Sequence, residues 1–460
     1  MGPSLSQIGN ESNGIQAIGF AALLGFVYAY NSRVLDLHFS YLHLPLVLGV
    51  TSGICAIVAG SLFKAFKTRV GILYLFLTCW FAAGVPFAYW RGGSAGQVRE
   101  WLRTLAIWAF LVGLTVTYRG CKLLLNTVVL AAGTAALMAL TGGGAQIEGR
   151  LSLEQGQLGN PNYFALELLV ALPFAWRLFS GDGQPGMFRR LFAGGWGGLM
   201  LLSLFKSGSR AGLYALGVMV LLVLLRVSLI QKIQIALAAS ILLLSMFAVL
   251  PSYLRERYFT FSSTEGMQYE NVTDARVASS AAGSTLQRQH VLRQSISITL
   301  ARPVFGVGLG NFAPYVNQIN RDEGRPKEPY LGTHNSYMQI ASEAGIPALL
   351  TWLGIMAMSW RSLTRLIRAT RHDSRPQVRE ICRTAHAAQV CLGSLCAFLA
   401  FIHMAYDILP HMVIGLALAV AYTGERELAL LDTGESQPAL SGATEVPDAY
   451  RPGIVPAMRA

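Results

Sequence analysis

Apolar runs of about twenty residues recur along almost the whole chain, and they limit the fold more than any other feature. A run of about 18 or more apolar residues can cross the ~30 Å hydrocarbon layer as an α-helix. In lipid only helices and closed barrels satisfy every backbone hydrogen bond. About twelve such segments stand near 15–31, 39–60, 70–90, 101–118, 121–140, 162–180, 190–206, 211–229, 232–250, 346–366, 385–404 and 408–423. Charged residues make up only 13% of the 460, against about a quarter in soluble domains. The expectation is an all-α polytopic membrane protein with about 12 transmembrane helices. Nine would lie in 1–250, a long, partly helical outer loop in 251–345, three helices in 346–423, and a disordered polar tail in 424–460.

Orientation follows from the short basic loops. Lys64, Lys67 and Arg69 fall on one side, with Arg119 and Lys122, with Arg177, Arg189 and Arg190, and with Arg226 and Lys232. The run from Arg361 to Arg383 joins them, and both termini lie on that side. Positive charge stays in the cytoplasm, so the loops 91–103, 141–161 and 251–345 face the periplasm of a bacterial inner membrane. The net charge of +12 is thus read as topology; the surroundings are membrane lipids, and no nucleic acid is implied. The six cysteines have no metal-ligand spacing and read as apolar filler. No basic residue precedes Arg33, so the N-terminus does not read as a cleavable signal peptide.

Four polar features share the expected outer face. Lys206-Ser207-Gly208-Ser209-Arg210 joins two apolar spans. Arg210 there is either a snorkelling anchor or one arm of a phosphate site, since a guanidinium grips phosphate through paired hydrogen bonds. Arg288 and Arg293 lie in 285–300, which has helical spacing and would ordinarily be a solvated face. Arg150 precedes Asn160-Pro161-Asn162-Tyr163, first of all a helix start, with Asn162 and Tyr163 also able to meet sugar hydroxyls. The fourth feature is His334-Asn335-Ser336-Tyr337, followed by Glu343. A lone histidine is usually structural, but this one can take a proton near neutral pH, and Tyr337 is expected on the same face of a helix over 334–344. Glu343 is either a second polar contact or a charge facing water. Residues 251–262 read as an amphipathic piece, 263–283 as mobile, and 303–310 as turns rich in glycine. No nucleotide-binding or HExxH motif occurs. The outer face offers no acidic pair for a metal, so neither metal nor cofactor is expected.

Taken in order, Ser207-Gly208-Ser209-Arg210, Pro303-Val304-Phe305-Gly306-Val307-Gly308-Leu309-Gly310-Asn311-Phe312, His334-Asn335-Ser336-Tyr337 and Glu343-Ala344-Gly345-Ile346-Pro347 resemble the O-antigen ligase and O-antigen polymerase superfamily. The resemblance covers about 150–360. It implies a glycosyltransferase of the C-type membrane architecture. Such an enzyme moves a glycan from undecaprenyl diphosphate to an acceptor hydroxyl, without metal and with inversion. Carried onto this sequence, Arg210 and Arg288 hold the diphosphate and stabilise it as it leaves. His334 orients or deprotonates the acceptor, Asn335 and Tyr337 shape the site, and Arg255 and Arg257 are further diphosphate candidates. Ligase, polymerase and protein O-oligosaccharyltransferase share this donor and differ in acceptor: lipid A-core, glycan or protein. A polysaccharide-related transporter is the reading from another class. Against it stand the absence of a repeat between two halves and the scarcity of charge deep in the spans, Asp407 excepted.

Overall fold

The computed structural model describes residues 5–142, 144–147, 149–154, 156–180, 186–259, 272–324 and 332–433. It is nearly all helical. The first part of the chain folds as α1 (Leu5–Ser32), α2 (Val34–Phe39), α3 (Leu44–Val58), α4 (Ser61–Phe66), α5 (Arg69–Gly84), α6 (Arg91–Leu114) and α7 (Tyr118–Leu140). A short antiparallel hairpin follows, β1 (Gly144–Ile147) against β2 (Arg150–Leu153). Then come α8 (Pro161–Phe179), α9 (Met187–Lys206), α10 (Arg210–Leu224) and α11 (Leu229–Val249). The long loop contains α12 (Ser252–Phe259), α13 (Val272–Ala301) and α14 (Phe312–Asp322), and the chain closes with α15 (Ser336–Thr370), α16 (Pro376–Leu399) and α17 (Ile408–Thr433).

Each of the expected apolar segments is helical over most of its length. Among the described residues seven helices are long and apolar enough to cross a membrane: α1, α3 with the turn before it, α5, α7, α8, α15 and α17. α6, α9 and α16 carry more charge, in Arg91, Arg99, Glu100 and Arg103, in Arg189, Arg190 and Lys206, and in Arg379, Glu380 and Arg383. α17 is buried almost all round from Leu409 to Ala421. A helix apolar on every face belongs in the middle of a bundle, and α6, α7, α15 and α16 surround it. α8 packs against α7, α9, α10 and α16, which fixes the start of α8 beside the α9–α10 turn.

Several boundaries differ from expectation. The loop 141–161 is not irregular throughout: it holds the hairpin. Helix α13 begins at Val272, so 272–283 is helical rather than a mobile stretch. Alanines and a helix-compatible spacing outweigh its serines and Gly283 there. The remainder of the expected mobile stretch, 263–271, lies outside the described residues. The polar tail was expected from Gly424, but α17 runs on to Thr433, where Arg375 holds Asp432 at 2.7 Å. The rest of that tail lies outside the described residues. α16 stops at Leu399, and 400–407 leaves the helix, although 385–404 reads as one apolar run. That early stop releases His403 from the span.

Candidate active site

The junction of α9 and α10 is a tight turn that two arginines hold from behind. Gly208 has φ +59, and a Cβ there would lie 3.1 Å from Leu254, 3.3 Å from Arg257 and 3.4 Å from Arg150. A residue other than glycine would pay for both the left-handed backbone and the crowding. Arg150 donates through Nε to the Ser207 carbonyl at 2.9 Å and through Nη2 to Asn162 Oδ1 at 2.9 Å. Arg257 Nε donates to the Gly208 carbonyl at 3.2 Å. Ser209 caps α10, its hydroxyl accepting from Gly212 N at 3.1 Å and donating to Asn162 Oδ1 at 2.9 Å. Asn160 caps α8 by accepting from Asn162 N at 2.9 Å, with Pro161 in the first turn. The Asn-Pro-Asn start therefore supplies a strut, in which Asn162 ties β2 and α8 to the Ser-Gly-Ser-Arg turn.

Arg210 opens α10, whose first turn holds no acidic residue. A cation at the positive end of a helix is unfavourable on its own, and here further cations add to it. The Arg210 guanidinium is driven down to about 10, first by burial and then by the charges of Arg257 and Arg288. Arg288, on α13, is lowered by burial and by Arg257. Three guanidiniums and a helix N-terminus thus share one field, a concentration of positive charge suited to an anion.

His334 stands just before α15. Its φ of +51 is unusual for a side chain with a Cβ. The conformation is held on both sides: Thr333 Oγ1 donates to the Asn335 carbonyl at 2.9 Å. Asn335 then caps α15 by accepting from Tyr337 N and Met338 N at 2.9 and 3.0 Å. The same helix start grips the 400–407 loop. Ser336 donates to the Ile402 carbonyl at 2.6 Å and accepts from Met404 N at 2.9 Å, and Ala405 N donates to Gln339 at 3.0 Å. The His403 ring therefore lies edge-on to His334, centroids 5.2 Å apart, over Gly332, where a Cβ would come within 2.5 Å of it. Burial, then His403 and Arg288, hold His334 down at about 4, so the imidazole is neutral at neutral pH. At the end of this loop, Asp407 is raised to about 6 by burial, opposed by a hydrogen bond from Tyr163.

The glycine-rich segment clamps rather than contacts. Gly306, Gly308 and Gly310 all have positive φ. Val307 N and Gly308 N donate to the Ser342 and Glu343 carbonyls, each at 2.9 Å, and Ile346 N donates to Pro303 O at 2.8 Å. The Glu343 carboxylate accepts from Gly310 N at 3.0 Å and Phe312 N at 3.3 Å. At Gly345 the backbone turns to φ +86, ψ 174, breaking α15 after its first turns. A Cβ there would meet Val304 O at 1.9 Å.

The site residues expected from sequence therefore divide. Arg210, Arg257, Arg288 and His334 share one field, with Arg150, Asn162 and Ser209 bonded behind the turn. Arg293 and Arg255 are exposed; Arg293 is about 140° round the helix from Arg288. Tyr337 does not share a face with His334, because the helix starts only at Ser336. Its hydroxyl donates to the Cys396 carbonyl at 2.7 Å, and its ring packs on Trp352. Asn335 is a cap. Glu343 is buried, so it does not face water. Sequence reasoning missed His403, hidden in an apolar run; the signal was the polar set His403, Tyr406 and Asp407 ahead of Pro410.

Residues 197–353 match the family model described as O-antigen ligase. No curated protein matches the chain. The matched stretch runs from within α9 past the break in α15. It includes Ser209, Arg210, Arg257, Arg288, His334 and Glu343, and leaves Arg150, Asn162, His403 and Asp407 outside.

Proposed function

Taking residues 197–353 to place this membrane protein in the O-antigen ligase superfamily, we propose that it transfers a glycan from undecaprenyl diphosphate to an acceptor hydroxyl. The acceptor is lipid A-core or a similar glycolipid, and the site opens to the periplasm of the inner membrane, with both termini cytoplasmic. The observation that carries the reading is the shared field of Arg210, Arg257 and Arg288 beside a neutral His334.

In this mechanism the donor diphosphate lies between the guanidiniums at the N-terminus of α10. The acceptor oxygen attacks the anomeric carbon from the opposite face, and the bond from that carbon to the diphosphate oxygen breaks with inversion. The acceptor proton passes to the His334 imidazole. The electron pair of the broken bond stays on the diphosphate, where Arg210 and Arg288 stabilise the charge that develops. Binding two negative charges beside His334 favours its protonated form, so the donor itself makes the base stronger. Chain residues supply every role, and no metal is used.

The test is transfer by the purified protein from a lipid-diphosphate glycan, together with the glycolipid profile of a deletion strain. Arg210→Ala and Arg288→Ala should each lower kcat by about 10²–10³, the usual cost of removing a group that holds developing negative charge. Wild-type transfer by Arg288→Ala would remove that residue from the site. Long glycan left on the carrier with bare acceptor identifies a ligase, and a single repeat on the acceptor identifies a polymerase. Unchanged glycolipid pools with loss of glycoprotein identify a protein acceptor.

A further inference from the structure

The opposite end of the bundle carries a second basic site. Asn162 and Arg177 both belong to α8, fifteen residues apart in sequence, which is about 22 Å along a helix. Around Arg177, the helices α7, α8, α9 and α16 border an open cavity of ≈ 280 Å³ lined by Arg119, Lys122, Arg177, Arg189, Arg383 and Glu380. Five cations therefore face one carboxylate. Glu380 is shared, lying 3.2 Å from Lys122 Nζ and 3.9 Å from Arg177 Nη1. Glu427 of α17 also feels the charge of Lys122. These carboxylates leave the cavity with a surplus of positive charge.

Arg177 is the centre of this surplus. Its side chain is only 7% exposed. One Nη donates to Asn126, but its buried Nε has no hydrogen-bond partner among the described residues. A buried guanidinium with an unmade N–H bond is costly, and because Arg177 lines the cavity an oxyanion held there lies beside that guanidinium. A phosphate matches the planar fork as a carboxylate does, and its further oxygens can reach the neighbouring cations as well.

The surroundings point to the source of the phosphate. Leu123, Trp176 and Phe179 are exposed beside the cavity, and the last two rings stack at 5.7 Å. Met187, Phe188 and Leu191 expose apolar surface at the start of α9. Tryptophan, here Trp176, favours the level of the lipid headgroups, and basic pockets between spans take anionic headgroups. We propose that this cavity binds the phosphate of an anionic phospholipid, with the acyl chains lying along Leu123, Trp176 and Phe188.

The test uses the full chain in detergent and in bilayer discs, and none of its readouts involves glycan transfer. Native mass spectrometry should find phosphatidylglycerol retained after delipidation and phosphatidylcholine lost. Because Arg177→Gln can fail to fold, the decisive variant is the double change Arg119→Gln with Arg189→Gln, at two exposed positions. It should lower phosphatidylglycerol retention by about tenfold, while its Tm in phosphatidylcholine alone stays that of the parent. Equal retention of the two lipids, or retention untouched by the double variant, overturns the site. Displacement of the lipid by inorganic phosphate with equal thermal stabilisation overturns the lipid as occupant and makes a soluble anion the ligand.

Discussion

Replacing Asn162 by alanine separates a strut from a sugar contact. Its Oδ1 accepts from Arg150 Nη2 and from Ser209 Oγ, both at 2.9 Å. Arg150 is only 8% exposed, so water does not readily replace the lost acceptor. A hydrogen bond to a charged group contributes about 1.5–3 kcal/mol and a neutral one about 0.5–1.5 kcal/mol. The Ser209 cap on Gly212 N survives, so the expected loss of stability is about 2–4.5 kcal/mol. Loosening the turn also moves Arg210, and a displacement of about 1 Å can cost on the order of 10²-fold in rate. Asn162→Ala should therefore unfold earlier in a thermal ramp at fixed lipid and show a lower kcat with little change in donor KM. Asn162→Asp keeps an acceptor for both donors, so stability should return. Its added negative charge beside the arginines should raise the KM for the anionic donor. Wild-type stability together with lost transfer in Asn162→Ala would refute the strut and place the amide on the substrate.

The bundle was legible because lipid leaves a chain few choices: long apolar runs become helices wherever the backbone must satisfy itself. The cap at Asn160 and the break at Gly345 were also legible, since each depends on neighbours in sequence. What stayed hidden depends on partners far along the chain. His403 reads as part of a span until Ser336 and Gln339 are seen to hold the 400–407 loop open. Glu343 reads as either a polar contact or a charge facing water until Gly310 and Phe312 supply its two donors. Tyr337 was drawn to His334 by helical spacing, yet the left-handed backbone at His334 delays the helix and turns Tyr337 toward Cys396. Arg150 and Arg257 show the same limit: sequence gives two arginines in separate loops, and only the fold brings both to the carbonyls of one turn. The glycines at 306, 308 and 310 were visible as turns, but not as the clamp that fixes the start of α15.

Three further outcomes follow from the same geometry. Gly345→Ala should destabilise by about 2–6 kcal/mol, because a strained backbone costs about 1–3 kcal/mol and overpacking a similar amount; an unchanged Tm would contradict the contact with Val304 O. Transfer should continue in EDTA, and activity lost to the chelator and restored by a divalent ion would overturn the metal-free mechanism. Finally, His334 ties stability and rate to pH with a definite sign. Its folded-state pKa is about 4, against 6.5 for an unperturbed imidazole. Between those values the unfolded chain holds the extra proton, so stability is fully present above about 6.5 and falls as pH drops toward 4. His334→Gln should flatten that part of the curve and leave the remainder, to which His403 also contributes. In transfer kinetics the acid limb of kcat/KM reports the free site and that of kcat the donor complex. Because the donor's negative charge opposes Arg288, the kcat limb should lie at higher pH than the kcat/KM limb. Limbs that coincide would mean that no anion binds beside His334.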